Sequence, residues 1–267
     1  MKRINPVLGG SSATLTRAGP KFEPMVLSEE RKKRPHFYTQ SYTPLTLLAL
    51  GVLALHGVAY CKPSDYFLPL VTGYIHTDMY LAALHMWLDD PVTLDNPIKQ
   101  IAALAYQFQH HHDYPGDVFH DNHVKSIDGF VRITAVLFLA CYWLAGLDTY
   151  WIPHFLSIGF WGFVGAANHV AMHCRTHKRK IPEVYRIGQD LGLLMKPKHH
   201  KAHHTAPFEC YFSFLAGFNV VYTVIYKAAL QHNRTLMTAT FVALQPPTLV
   251  LLLSAASAAS AASGFAG

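Results

Sequence analysis

Lys196-Pro197-Lys198-His199-His200-Lys201-Ala202-His203-His204 places four histidines within six positions. On a helix, His199 and His203 stand at i,i+4, as do His200 and His204. His200 and His203 stand at i,i+3, so each pair shares a face. Pro197 suits a first helical turn, where its missing N–H costs nothing. A neutral imidazole is the commonest protein metal ligand. Taken alone the stretch is equally a solvated basic run or a metal site, and the rest of the chain decides.

Only 14% of the 267 residues are charged and 51% are hydrophobic, where a soluble domain carries about 25% charge. That balance points to a membrane. Fourteen of the 18 histidines lie between His85 and His204, so they are internal, unlike a terminal tag. The basic residues gather in Arg31-Lys32-Lys33-Arg34 and in residues 175–201. No basic module interleaved with stacking aromatics is present, which argues against nucleic-acid binding. Juxtamembrane clusters explain them better. Cys61, Cys141, Cys174 and Cys210 are scattered with no CxxC, so neither a disulfide framework nor a thiolate metal site is expected.

Residues 1–40 read as a disordered basic tail without the apolar core of a secretory signal. The tail has some features of an organelle transit peptide, but Glu23, Glu29 and Glu30 speak against one. Four apolar stretches follow, at residues 45–61, 66–88, 130–147 and 155–172. Short breaks after the first and third predict two antiparallel hairpins. The basic run before the first stretch puts the N-terminus in the cytosol. By the same count, residues 89–129 and 174–205 both return there. The expectation is an all-α integral membrane protein with about four transmembrane helices in two hairpins and a cytosolic histidine-rich di-metal cap. Residues 208–230 are expected either to span or to lie in the interface. Residues 236–253 are apolar but broken by Pro246-Pro247, and an Ala/Ser low-complexity tail closes the chain. The expected divisions are residues 1–40, 41–232 and 233–267.

Asp78, His85 and Asp89 fall within about 20° of one helical face, with His76 on the opposite side. Ionisable residues at membrane depth mark functional sites. His110, His111 and His112 point about 100° apart in succession on a helix, so no more than two can serve one metal. His120 and His123 follow. His169, His173 and His177 repeat the i,i+4 spacing. One zinc takes about four ligands, so this inventory fits two metals better. Imidazole suits Zn, Cu, Fe and Ni alike. A bis-histidine haem would leave most of these rings unused. A metal transporter would want polar groups in several spans, and only the second shows them clearly.

These residues resemble the membrane lipid desaturase family, which includes plasmanylethanolamine desaturases and plant phosphatidylglycerol palmitate desaturases that form a trans-Δ3 bond. The resemblance runs from about Val71 to Tyr226. It is carried by Thr72, Asp78, His85 and Asp89, then by Phe108-Gln109 through His111-His112 and Pro115. His169-x3-His173, Gln189-Asp190, His200-x2-His203-His204, Pro207, Tyr211 and Gly217 complete it. It implies a non-haem di-iron centre, O2 as co-substrate and an electron donor such as cytochrome b5, or ferredoxin in a plastid. Location in the endoplasmic reticulum follows, with a plastid membrane as the alternative. The implied metal ligands are His85, His111, His112, His120, His169, His173, His200, His203 and His204. His123 competes with His120, and the pair His173/His177 competes with His169/His173. Asp78, Asp89 and Asp190 are the implied catalytic carboxylates, with Asp89 and Asp190 suited to fixing imidazole tautomers. Two substrates follow from the resemblance: plasmanylethanolamine first, giving the vinyl ether of plasmalogens, and phosphatidylglycerol palmitate second. The metal carries the oxidation itself, and the protein supplies ligands, orientation and exclusion of water.

Overall fold

The computed structural model describes residues 62–116, 151–205 and 208–245, with Gly51, Ala54, Leu55, Ala59 and Thr248. The tail of residues 1–40, most of the stretch 45–61, the stretch 130–147, His120, His123 and the Ala/Ser tail lie outside the described residues. Among the described residues there are seven α-helices and no strand: α1 Phe67–Asp89, α2 Lys99–Asp113, α3 Trp151–Thr176, α4 Glu183–Leu191, α5 Pro197–His203, α6 Asn219–Ile225 and α7 Arg234–Ala243.

α1 has 23 residues, about 34 Å at 1.5 Å per residue. Its first turns expose Phe67, Leu68, Leu70 and Val71, while from Tyr80 to Asp89 every residue but the partly buried Trp87 is buried. α3 has 26 residues. Within it, Pro153–Thr176 is the one described helix both long and apolar enough to cross a membrane. α1 has the length, but His76, Asp78, His85 and Asp89 lower its apolar character.

α1 and α3 pack side by side and run in the same direction. Ser157 Oγ donates to the Leu70 carbonyl at 2.7 Å, and further along Leu81 faces Gly165. That sense is the one the alternating count of apolar stretches requires of its second and fourth members. Small residues let the backbones approach. A Cβ on Gly73 would collide with Ser157 Cβ and sit 2.8 Å from the His154 carbonyl oxygen. Neither the helix backbone nor a short branch on Cβ can yield. Gly73→Ala is therefore expected to lower stability by about 1–3 kcal/mol, as overpacking does, read as a drop in Tm of the detergent-solubilised protein. An unchanged Tm would show that the crossing is looser than this contact implies.

α7 lies antiparallel along α1. Arg234 pairs with Asp90 at 3.2 Å at one end. Phe241 stacks on Trp87 at 4.5 Å, and the Leu244 carbonyl accepts from His76 Nε2 at 2.9 Å further down. The stretch 208–230 is not one continuous helix. It stays irregular until Asn219 and then forms seven α-helical and five π-helical residues, well short of the about 20 needed to cross a bilayer. α6 buries Asn219 and Tyr222 and exposes Val220, Val221 and Val224, the pattern of a helix lying at an apolar boundary.

Candidate metal centre

Four helix ends converge at one pole of the fold. His85 and Asp89 occupy the last turns of α1, and His111 and His112 the last turn of α2. His169 and His173 stand on the final turns of α3, while His200 and His203 lie on α5 with His204 as its C-cap. Their donor atoms sort into two groups, each with every donor atom within 4.8 Å of the others. His111, His169, His173, His200 and His204 form the first, and His85, Asp89, His112 and His203 the second.

The sorting follows helix geometry. Adjacent residues diverge by about 100°, so His111 and His112 enter different groups and His110 enters neither. His110 instead sits between Tyr106 and Tyr114, at 5.6 and 5.1 Å. His203 and His204 part in the same way. His199 leaves the centre and stacks on Tyr211 at 4.6 Å. His177 lies beyond the end of α3, exposed, so the pair brought to the centre is His169/His173.

The hydrogen bonds fix which nitrogen faces inward. A carbonyl oxygen can only accept, so a ring nitrogen bonded to one must carry the proton. His85 Nδ1 donates to the Phe212 carbonyl at 2.8 Å, and His203 Nδ1 to the Cys210 carbonyl at 2.7 Å. In the uncharged form of each ring, Nε2 is then a bare lone pair. Those two atoms stand 3.0 Å apart, and His203 Nε2 is 3.1 Å from His112 Nε2. Asp89 oxygens lie 3.4–3.6 Å from all three. Facing lone pairs repel, and a cation between them turns the repulsion into coordination.

In the first group the ring nitrogens crowd as closely. Nε2 atoms of His169 and His173 are 3.2 Å apart, those of His173 and His200 2.8 Å, and those of His200 and His204 3.1 Å. His111 Nδ1 donates to the Phe108 carbonyl, which turns its Nε2 into the group. Burial holds the His200 and His204 rings well below ordinary histidine basicity. Neighbouring imidazoles, led by His204 for His200 and by His173 for His204, add to it. Both are neutral at physiological pH and available as ligands. Five imidazoles beside three imidazoles and a carboxylate suit a borderline transition-metal cation at each group.

Aromatic rings wall the site. Phe214 stacks on His169 at 4.5 Å, Phe108 meets His85 edge-on at 5.2 Å, and Phe208 lies 4.9 Å from His112.

Two of the three expected carboxylates stand elsewhere. Asp78 shares a face with His85 but lies seven residues earlier, about 10 Å down the helix. It accepts from Ser213 Oγ, from Phe218 N–H at 2.9 Å and from Tyr222 Oη at 2.9 Å. It thereby ties down the same irregular segment whose Phe212 carbonyl holds His85. Asp190 is half exposed and pairs with Arg175 at 3.1 Å and Arg186 at 3.3 Å on the surface. Its neighbour Gln189 turns inward instead. Gln189 Nε2 donates to Asn168 Oδ1 at 2.8 Å, and Asn168 Nδ2 donates to the Phe214 carbonyl at 2.9 Å and the Met195 carbonyl at 3.2 Å. Gln189, Asn168 and the carbonyls of Cys210 and Phe212 were not singled out as site residues from the sequence. Backbone carbonyls leave no trace in residue identity. The amides do: Asn168 directly precedes a site histidine, and Gln189 is the first member of the Gln-Asp pair.

The family model described as Lipid desaturase domain matches residues 74–244, from the middle of α1 to just past α7. A plasmanylethanolamine desaturase of Myxococcus xanthus is 23% identical over 168 residues, covering 62% of this chain and 58% of that protein. The chain thus spans under two thirds of that relative's length. No solved structure matches. With well over half of the chain inside the family match, and the histidine-lined pole inside it too, this protein belongs to the lipid desaturase family.

Proposed function

We propose that the protein is a membrane di-iron lipid desaturase. Its iron would be held by His85, Asp89, His112 and His203 at one position and by His111, His169, His173, His200 and His204 at the other. The observation that carries this reading is the pairing of lone-pair nitrogens across the His85–His203 contact at 3.0 Å, beside a first group whose Nε2 atoms crowd as closely. Iron bound there supplies the O2-dependent oxidation that no side chain can perform. Overall, a –CH2–CH2– unit becomes –CH=CH– while O2, two electrons and two protons become two waters. The electrons come from an external one-electron carrier such as cytochrome b5.

The chain's own residues hold and shelter. The Phe212 and Cys210 carbonyls fix two tautomers, the role of outer partners at metal-bound histidines. Asp89 offsets positive charge amid three imidazoles. Phe108, Phe208 and Phe214 keep water from the reacting carbon. The four-span topology, the cytosolic placing of the histidine pole and residence in the endoplasmic reticulum belong to this proposal, as does a ligand role for His120.

Plasmanylethanolamine is the substrate we favour, giving a vinyl ether; the Myxococcus relative supports it. Phosphatidylglycerol palmitate is the second reading, on the likeness of Phe108-Gln109 and Gln189-Asp190-Leu191 to the plant enzymes. The test is iron analysis of purified protein with lipidomics of a deletion strain. Two irons per chain and loss of plasmalogens are expected. Loss of trans-hexadecenoate would select the second substrate. Stoichiometric zinc with every lipid unchanged would overturn the desaturase reading.

A further inference from the structure

We propose that the apolar groove between the first halves of α1 and α3 holds the distal carbons of the substrate's hydrocarbon chain and sets the chain length accepted. The inference rests on the desaturase reading above. The groove measures about 730 Å³, within the roughly 300–1,000 Å³ typical of small-molecule sites. Phe67, Leu70 and Val71 line one wall, and Leu156, Phe160 and Trp161 the other.

Three observations choose a hydrocarbon as its occupant. The second wall belongs to the helix long and apolar enough to cross a membrane, so the groove opens where the surroundings are lipid. The two hydroxyls among its described lining residues are turned to the protein itself. Ser157 Oγ donates to the Leu70 carbonyl at 2.7 Å, and Tyr74 Oη to the Leu193 carbonyl at 3.2 Å. Among the described lining residues a headgroup would find no charge to meet it.

The third observation is distance. α1 and α3 run in the same direction and carry their histidines at the same end. Tyr74 precedes His85 by eleven residues and Trp161 precedes His169 by eight, about 16 and 12 Å of helix. Phe67 and Leu156 lie further still from the histidines. A chain whose reacting carbon is near its headgroup, at the histidine pole, would run down the helices and bring only its far carbons to the groove. Both substrates considered above react near the headgroup end.

The test uses the full-length enzyme in membranes fed plasmanyl lipids of mixed chain length, with products read by mass spectrometry and iron measured per chain. Val71 and Phe160 are 41% and 55% exposed, so changes there leave the core intact. Val71→Trp is expected to shift products toward shorter chains, and Phe160→Ala toward longer ones. Each shift should reach about 10-fold in relative use of the longest chain, the scale of discrimination by a methylene-sized change. Iron content should not change. In parallel, a hexadecyl lipid with a terminal diazirine should label peptides spanning residues 67–74 and 156–161.

Unaltered chain-length profiles with full iron, or labelling confined to other peptides, would overturn the proposal. Should the wild type convert no lipid at all, the desaturase reading fails, and the labelled peptides still decide what the groove binds.

Discussion

Replacing His203 with alanine is expected to abolish lipid product and to remove one of two irons. His203 has two connections. Its Nε2 lies 3.0–3.1 Å from His85 and His112, and its Nδ1 donates to the Cys210 carbonyl. Loss of an outer partner of a metal ligand costs about 10–100-fold in affinity or activity, and losing a donor atom itself exceeds that. The first group shares no residue with the second, so iron should fall to about one per chain. His199→Ala and His177→Ala should retain both irons and full activity, because His199 stacks on Tyr211 away from both groups and His177 is exposed. The measurement is iron per chain alongside desaturation by purified protein. Full iron and product in His203→Ala would refute the assignment of the second group.

Replacing Asp78 with alanine is expected to destabilise the protein by about 2–5 kcal/mol, the scale of several hydrogen-bond donors losing one buried acceptor. The hydroxyls of Ser213 and Tyr222 and the N–H of Phe218 would lose their acceptor in a buried setting, and each stranded polar group costs about 1–3 kcal/mol. The consequence reaches the centre, because Ser213 adjoins Phe212, whose carbonyl fixes the His85 tautomer. Iron occupancy should fall together with Tm. Asp78→Asn should be milder, since a hydroxyl can rotate to accept from an amide while the amide oxygen still accepts. A Tm for Asp78→Ala equal to that of the wild type would show that the network carries little stability.

Much of the centre was legible because helical spacing is a local property. The i,i+4 pairs His85/Asp89, His169/His173 and His200/His204 each had to share a face once helices formed there, and in each case they share a group. The run His110-His111-His112 was legible only as a limit, no more than two to one metal. Which ring faces which group depends on where α1, α3 and α5 sit around the end of α2. The choice between His169/His173 and His173/His177 turned on where α3 stops.

The carboxylates were harder. Asp78 and Asp89 share a helical face, and the face alone does not reveal that an irregular segment more than a hundred residues later covers its lower part and the metal groups its upper part. In Gln189-Asp190 the charge drew attention to Asp190, while α4 turns the neutral Gln189 inward and leaves Asp190 to two arginines at the surface. Burying an amide that bonds to another amide costs far less than burying a carboxylate away from its counter-ions.

From the sequence alone came the all-helical class, the histidine spacings that favour two metals over one, and the resemblance to lipid desaturases. These depend on residue type and on separations of three or four positions, which the helical repeat converts directly into direction. The tertiary structure decided how nine side chains from four helix ends divide into two groups. It also chose the carbonyls that set the tautomers and made Asp78 a tie to the segment beside the centre. Apart from the short spans His203–Cys210 and His111–Phe108, those outcomes depend on contacts between residues about 30 to 145 positions apart, and helical periodicity carries no information across such distances.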